Sequence, residues 1–313
     1  MKTLSLSFLL AVFLVACHSG NPARSEYTPS PGELKAAQAM IVASKGVDVL
    51  VGAGDIASCD DLSGAEATAR LLDSIPGTVF TAGDTAYPGG TPAQFADCYG
   101  PTWGRDKART RPAVGNHEYH TPGASVYFSY FGAAAGDPHK GYYSYDLGGW
   151  HVIVLNSVCS EVGGCNAGSP EERWLRQDLA THPTACTVTY WHHPLFSSGA
   201  KHGDDPEMKP FWQALYAANA DVVINGHDHD YERFAPQDPD GRADPARGIR
   251  EFVVGTGGKN SHRSFGKPVA NSEVRNADTF GVLKLTLHPT SYDWQFIPVA
   301  GGTFTDSGTG ACH

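Results

Sequence analysis

Mixed β-sheets with helices packed outside them are the fold class this sequence predicts, and three features carry the prediction. Short apolar runs closed by Gly-Asp, Gly-Asn or Gly-His alternate with stretches at helical spacing. Hairpin patterns stand in the middle and at the end of the chain. With 41% hydrophobic and 18% charged residues among 313, the chain can bury a large core, as one big domain or two small ones. Early strands separated by helices, followed by hairpins, give an α/β sandwich.

In order, VDVLVGAGD is a first apolar run, closed by Gly54-Asp55. GAEATARLLDSI follows at helical spacing, and TVFTAGD is a second run, closed by Gly83-Asp84. TPAQFADCYGPTWG reads as partly helical, and TRPAVGNHE is a third run that ends in Gly115-Asn116-His117. YYSYDL and GGWHVIVLNS form a hairpin about Gly148-Gly149. SPEERWLRQDLA opens a helix, with Ser169 as its cap and Pro170 in the first turn. CTVTYWHHP is a strand, PEMKPFWQALYAAN a helix, and DVVINGHDH and REFVVGTGG are strands. GVLKLTLHPTSYDWQFIPVAG is a hairpin about His288-Pro289-Thr290.

The opening MKTLSLSFLLAVFLVAC has one Lys, an apolar run short for a bilayer span, and small residues before a Cys, which is a secretory signal. Leu14-Val15-Ala16-Cys17 resembles a bacterial lipobox, which implies cleavage before Cys17 and lipid on its thiol. The expected organisation is a signal peptide over 1–16, a polar tether over 17–45 and one folded domain over 46–313. Such a chain is exported and held at a bacterial membrane, periplasmic or cell-surface, by its lipid. Setting Cys17 aside leaves six cysteines, an even number suited to disulfides in an exported protein. Of several possible connectivities the expected one joins Cys59 to Cys98, Cys159 to Cys165 and Cys186 to Cys312. The net charge of −10 argues against general affinity for nucleic acid or anionic membrane, and leaves room for a positive site made by metal ions.

Polar residues gather where the apolar runs end: Asp55, Asp84, Asn116, His192, and the pair His227 and His229 in NGHDHDYER. Sites in open α/β sheets form beyond the carboxyl ends of the strands, so five such ends can meet in one crevice. Two carboxylates, an amide oxygen and three imidazoles suit two cations such as ferric or ferrous iron, zinc or manganese. A Gly-Asp after a strand is by itself more often a turn than a ligand. Five such motifs in order, each at a strand end, are not.

On these residues the sequence resembles the calcineurin-like metallophosphoesterase superfamily, and more closely its purple acid phosphatase branch. The pattern GD, GDxxY, GNH(D/E), strand-end His and GHxH is met from Asp55 to His229. The resemblance implies a four-layer α/β/β/α sandwich of two mixed sheets flanked by helices, with a catalytic domain over 46–313; the short tether is expected to leave no room for the extra N-terminal β-domain of plant purple acid phosphatases. It implies that Asp55 and His229 hold a first metal, that Asp84 bridges, and that Asn116, His192 and His227 hold a second. Where many members carry a His after the first Asp, this chain has Ala57, and Tyr87 of GDTAY is the residue that the purple acid phosphatases use as a tyrosinate. A phenolate points to Fe(III) at the first site, with Fe(II), Zn(II) or Mn(II) at the second.

The expected function is hydrolysis of phosphate monoesters on small molecules or peptides, by attack of a metal-bridging hydroxide. His117 would be general acid or phosphate contact, and His202, in FSSGAKHG, a substrate contact. His193, on a regular strand, would face away from its neighbour His192. Asp228 reads as pointing away from the metals, and Tyr231-Glu232-Arg233 as a solvated support for the loop. Two other readings stay open: a phosphodiesterase or nucleotide hydrolase on the same metals, and a metal-binding surface lipoprotein without turnover. HEYH, at His117 to His120, is one residue short of a zinc-protease motif, and GTGGKN lacks the first Gly and the Ser/Thr of a phosphate loop.

Overall fold

The computed structural model describes residues 47–261 and 263–313; the expected signal peptide, Cys17 and tether lie outside the described residues. The strands are β1 (Asp48–Ala53), the short β2 (Ala57–Ser58), β3 (Thr78–Ala82), the short β4 (Ala86–Tyr87), β5 (Thr110–Ala113), β6 (Tyr143–Leu147), β7 (Trp150–Val154) and β8 (Cys186–Tyr190). They continue with β9 (Val222–Asn225), β10 (Tyr231–Phe234), β11 (Arg250–Val254), β12 (Ser272–Asn276), β13 (Gly281–His288), β14 (Ser291–Pro298) and β15 (Asp306–Ala311). The main helices are α1 (Ser63–Ser74), α2 (Ser125–Phe131), α3 (Pro170–Thr181) and α4 (Lys209–Ala217). The Ser169 side chain caps α3 by accepting from Glu172 N at 3.3 Å, as its sequence signal requires.

A six-stranded sheet runs β15-β14-β13-β1-β3-β5 and a seven-stranded sheet runs β12-β10-β11-β9-β8-β7-β6, while β2 pairs only with β4. Both large sheets are mixed, as expected. Each has a parallel block: β1-β3-β5 forms one half of the six-stranded sheet, with β5 at its edge, and β7-β8-β9-β11 is the centre of the seven-stranded sheet, with antiparallel strands on both sides. Strands β7 and β8 are buried at every position, the pattern of parallel strands covered on both faces.

Alternation along β7 and β9 divides the interior into layers. Val152, Val154, Val222 and Ile224 pack with Leu50, Phe80 and Leu285 of the other sheet. Ile153 and Val223, on the opposite face, pack with Leu175 of α3 and with Phe211, Trp212 and Leu215 of α4. Helix α1 lies against β13 of the six-stranded sheet. The layering is therefore the α/β/β/α sandwich. Three disulfides form with the expected pairing, Cys59–Cys98, Cys159–Cys165 and Cys186–Cys312, at Cα separations of 5.4, 5.1 and 5.3 Å.

Candidate dimetal centre

The parallel strands of both sheets end on the same side, and six of the seven predicted ligands stand just past one of those ends, Tyr87 lying in the short β4. Asp55 follows β1, Asp84 follows β3, Asn116 follows β5, His192 follows β8, and His227 and His229 follow β9. Asp55, Asp84 and His227 hold left-handed backbone, with φ of 60°, 49° and 73°. That conformation is costly for residues with a Cβ and concentrates at functional sites. It turns each chain sharply out of its strand. His227 and His229 therefore do not lie on one side of an extended segment; β9 stops at Asn225 and the left-handed His227 sends the two imidazoles to different neighbours.

Each carboxylate spends one oxygen on a backbone N–H and turns the other inward. Asp55 Oδ2 accepts from His227 N at 2.8 Å, and Asp84 Oδ1 accepts from His117 N at 3.0 Å. Tyr87 donates its hydroxyl to Asp55 Oδ1 at 2.6 Å and to Asp84 Oδ2 at 2.9 Å, with His229 Nε2 at 3.3 Å from both the phenol oxygen and Asp55 Oδ1. A second nest shares Asp84 Oδ2: His192 Nε2 lies 3.2 Å from it, 3.1 Å from Asn116 Oδ1 and 3.1 Å from His227 Nδ1. His192 Nδ1 donates to Ala82 O at 2.8 Å, which leaves its Nε2 facing the nest. Tyr87 is thus brought to the centre with the six other predicted ligands, and does not merely pack beneath the loop.

Motif glycines are fixed by close approach. A Cβ at Gly83 would lie 2.5 Å from His192 Nδ1, and one at Gly115 would lie 2.2 Å from Asp84 Oδ1. The glycine beside one ligand is therefore the space that another ligand occupies.

The donor set draws positive charge. Burial disfavours a charged His192, but the Asp84 carboxylate outweighs it and raises the imidazole to about 10. Burial also opposes ionisation of Asp84, yet the charges of His192 and His117 hold its carboxyl well below the usual range. Burial and the charges of Asp55 and Asp84 push the Tyr87 phenol well up, so only a strong cation among these atoms would make it a phenolate. Carboxylate, phenol, amide and imidazole donors converge on two points that share one carboxylate oxygen, which fits a pair of metal ions.

The model of the calcineurin-like phosphoesterase family matches residues 17–231. The chain belongs to that family. Membership implies two metal ions, and the two nests are where this chain can hold them. Similar curated proteins include purple acid phosphatase 21 of Arabidopsis thaliana, 30% identical over 72% of this chain and 55% of its own length. Acid phosphatase A of Cryphonectria parasitica is 30% identical over 54% of this chain and 38% of its own. The chain thus spans about half the length, or less, of these relatives. The fold is shared with a purple acid phosphatase from yellow lupin (Lupinus luteus) seeds, at TM-score 0.68 and 18% identity over 85% of this chain and 54% of that one.

Around the metal nests the phosphoesterase carries a cleft of about 260 Å³, lined by Asp84, Tyr87, Pro88, Asn116, His117, His202, His227, His229, Lys259 and Ser261. His117 stacks on Tyr87 with ring centroids 4.4 Å apart, and its Nε2 lies 3.7 Å from Asp84 Oδ2. Its Nδ1 bonds to Pro88 O at 2.7 Å, so Nδ1 is the donor and Nε2 faces the cleft. The exposed His202 brings its ring to 4.0 Å from that of His227, so both predicted substrate contacts reach the centre.

Other expectations change. His193 does not face away: β8 ends at Tyr190, and the His193 ring lies 4.3 Å from that of His227, with Nδ1 bonded to Ser157 Oγ at 2.8 Å. Asp228 does turn away; its carboxylate accepts from Ser197 Oγ at 2.6 Å and from the amides of His202 and Gly203, and so anchors the loop that carries His202. Glu232 is buried rather than solvated, accepting from Ser198 N at 2.7 Å and Ser198 Oγ at 2.6 Å, while Arg233 pairs with Asp306 and Glu273. The residue that sequence reasoning missed is Glu118. It is fully buried, and accepts from Asp84 N, Gly115 N, Thr85 N and Thr85 Oγ1 at 2.8 to 3.0 Å. A further His/Asp group, His151, Asp178 and His182, is no metal nest: its imidazoles stack at 4.7 Å and 11°, so their in-plane lone pairs do not meet.

Proposed function

We propose that the chain is a dimetal hydrolase of phosphate monoesters, of the purple acid phosphatase kind. The observation that carries this reading is the pair of donor nests sharing Asp84 Oδ2, beneath a cleft overlooked by His117. Asp55, Asp84, Tyr87 and His229 would hold the first ion, and Asp84, Asn116, His192 and His227 the second. The phenolate favours Fe(III) at the first position, with Fe(II), Zn(II) or Mn(II) at the second. Bound there, the ions supply Lewis acidity toward phosphoryl oxygens and lower the pKa of a coordinated water. His117, with Nδ1–H held by Pro88 O, presents Nε2 to carry a proton to the leaving oxygen. His202 would contact the phosphoryl group from the His227 side.

The small cleft and its polar rim suit a phosphoryl head whose ester group stays outside, which favours monoesters over diesters. The comparison of p-nitrophenyl phosphate with its bis-ester tests this, and a strong preference for the bis-ester would move the assignment to a phosphodiesterase. His117→Ala is expected to lose about 10²- to 10⁴-fold in turnover with metal content intact. Unchanged turnover would remove the acid role, and a wild-type protein that binds metal without hydrolysing either ester would be a metal-binding protein alone. The three disulfides support export to an oxidising compartment, where Cys17 would carry the lipid anchor. Cys17→Ser is expected to move the protein from the membrane to the soluble fraction.

A further inference from the structure

Beyond β11 the chain folds back over the first nest as a bracket. Gly257 N donates to Gly54 O and Lys259 N to Asp55 O, each at 2.9 Å, and His229 Nδ1 bonds to Ser261 O. Gly258, with φ of 152°, leaves no room for a Cβ, which would lie 2.4 Å from Ala65 N. The bracket therefore fixes Lys259 between two residues tied to the centre. Its ammonium lies 5.0 Å from the Tyr87 ring centroid and donates to Ser58 Oγ at 3.0 Å. An ammonium has three donors, and among the described residues no carboxylate pairs with this one. Lys259 is also the only lysine or arginine among the described residues that line the cleft. In a chain of net charge −10, this half-buried lysine, without an acidic partner among the described residues, leaves donors of its ammonium to face the cleft.

We propose that Lys259 binds a phosphoryl oxygen of the substrate on the Tyr87 side of the cleft, and so sets the preference for dianionic monoesters over monoanionic diesters. The proposal rests on reading this cleft as a phosphoester site. A phosphate monoester carries close to two negative charges at neutral pH and a diester one, and Coulomb attraction scales with that charge. His202 stands at the opposite, His227 side, so the two residues would grip the phosphoryl group from either flank.

The test uses Lys259→Met and Lys259→Gln, with Lys259→Arg as the charge-conserving control, each checked for metal content. The neutral variants are expected to raise KM for p-nitrophenyl phosphate and the inhibition constant of inorganic phosphate by about 10- to 100-fold. KM for the bis-ester should move by less than about 3-fold, and Lys259→Arg should recover most of the loss. Equal losses on both esters, or unchanged inhibition by phosphate in a fully metallated variant, would overturn the proposal. If the wild type turns over neither ester, the phosphatase reading fails alone. Calorimetric binding of inorganic phosphate to the metal-loaded wild type and Lys259→Met then still decides the role of Lys259.

Discussion

Replacing Glu118 by Gln should cost the protein much of its stability and its metal, although no proposed ligand changes. Glu118 Oε2 accepts from Asp84 N at 3.0 Å and Gly115 N at 2.8 Å, while Oε1 accepts from Thr85 N and Thr85 Oγ1. Every group bonded to the carboxylate is a donor, so the ionised form fits. Burial and the nearby Asp84 charge push Glu118 up to about 7, and cations bound at Asp84 would relieve the second of these. Glutamine keeps one acceptor oxygen and sets an NH₂ against two N–H groups. Losing two hydrogen bonds to a charged acceptor costs about 1.5–3 kcal/mol each, hence about 3–6 kcal/mol together. At roughly 2–4 °C per kcal/mol for a domain of this size, the melting temperature should fall by about 6–24 °C. Thermal unfolding followed by circular dichroism, with metal analysis of the folded protein, reads both effects. A variant that melts within about 3 °C of wild type and keeps two metals would show that Glu118 does not hold the Asp84 turn.

Three further outcomes are expected. Tyr87→Phe should abolish any visible charge-transfer band and weaken metal retention at the first nest; a colourless, fully active wild type holding only zinc or manganese would refute iron there. His151 is buried with Nε2 2.7 Å from Asp178 and Nδ1 3.1 Å from Asp146; burial lowers its pKa, but these bonds and charges raise it above 6.5 overall, and His182 stacks beside it. Its contribution is therefore full below the unfolded pKa and lost as pH rises through the raised folded value. Asp178, which burial raises but bonds from His151 and Ser144 lower overall, contributes above 3.8 and loses that as pH falls through its lowered value. Urea unfolding of His151→Asn should show a flatter decline of stability on the alkaline side than wild type; parallel curves would refute the pairing. Removing Cys186–Cys312, with a sequence separation of 126, should destabilise more than removing Cys159–Cys165, with a separation of 6, by about 2.7 kcal/mol from loop entropy. Equal losses in denaturant melts of the two double-Ala variants would contradict that.

Much of the centre was legible because its chemistry restricts residue types at places that hydrophobic patterning already marks. The apolar runs before Asp55, Asp84, Asn116, His192 and His227 are real strands, and three of these five positions, Asp84, Asn116 and His227, follow a glycine that a neighbouring side chain requires. What was missed depends on contacts between distant residues. Glu118 was read as part of a failed HExxH spacing, and its partners at Asp84 and Thr85 are brought to it by β3 and β5 lying side by side. His193 was misplaced because the strand was extended past Tyr190. Strand β15, DSGTGA, has poor β propensity, and a Cβ at Gly308 or Gly310 would sit 2.2 and 2.4 Å from the rings of Trp294 and Tyr292. Those two rings take the place of its missing side chains.

The register of the six-stranded sheet bears on how the chain is made. β1 has β3 on one side, but its other neighbour is β13, with Asp48 opposite Leu287. Of the described strands β1 is the first in the chain, and its second hydrogen-bonding edge stays open until β13 is in place. The last strands then close the sheet, and Cys312 is oxidised onto Cys186 in the other one. Contacts this distant in sequence form slowly, whereas the pairing of β1 with β3 is local, so the two edges of β1 close at different stages of folding. Because Asp55 follows β1 directly, the seat of the first nest borders a strand whose second edge is closed only by β13.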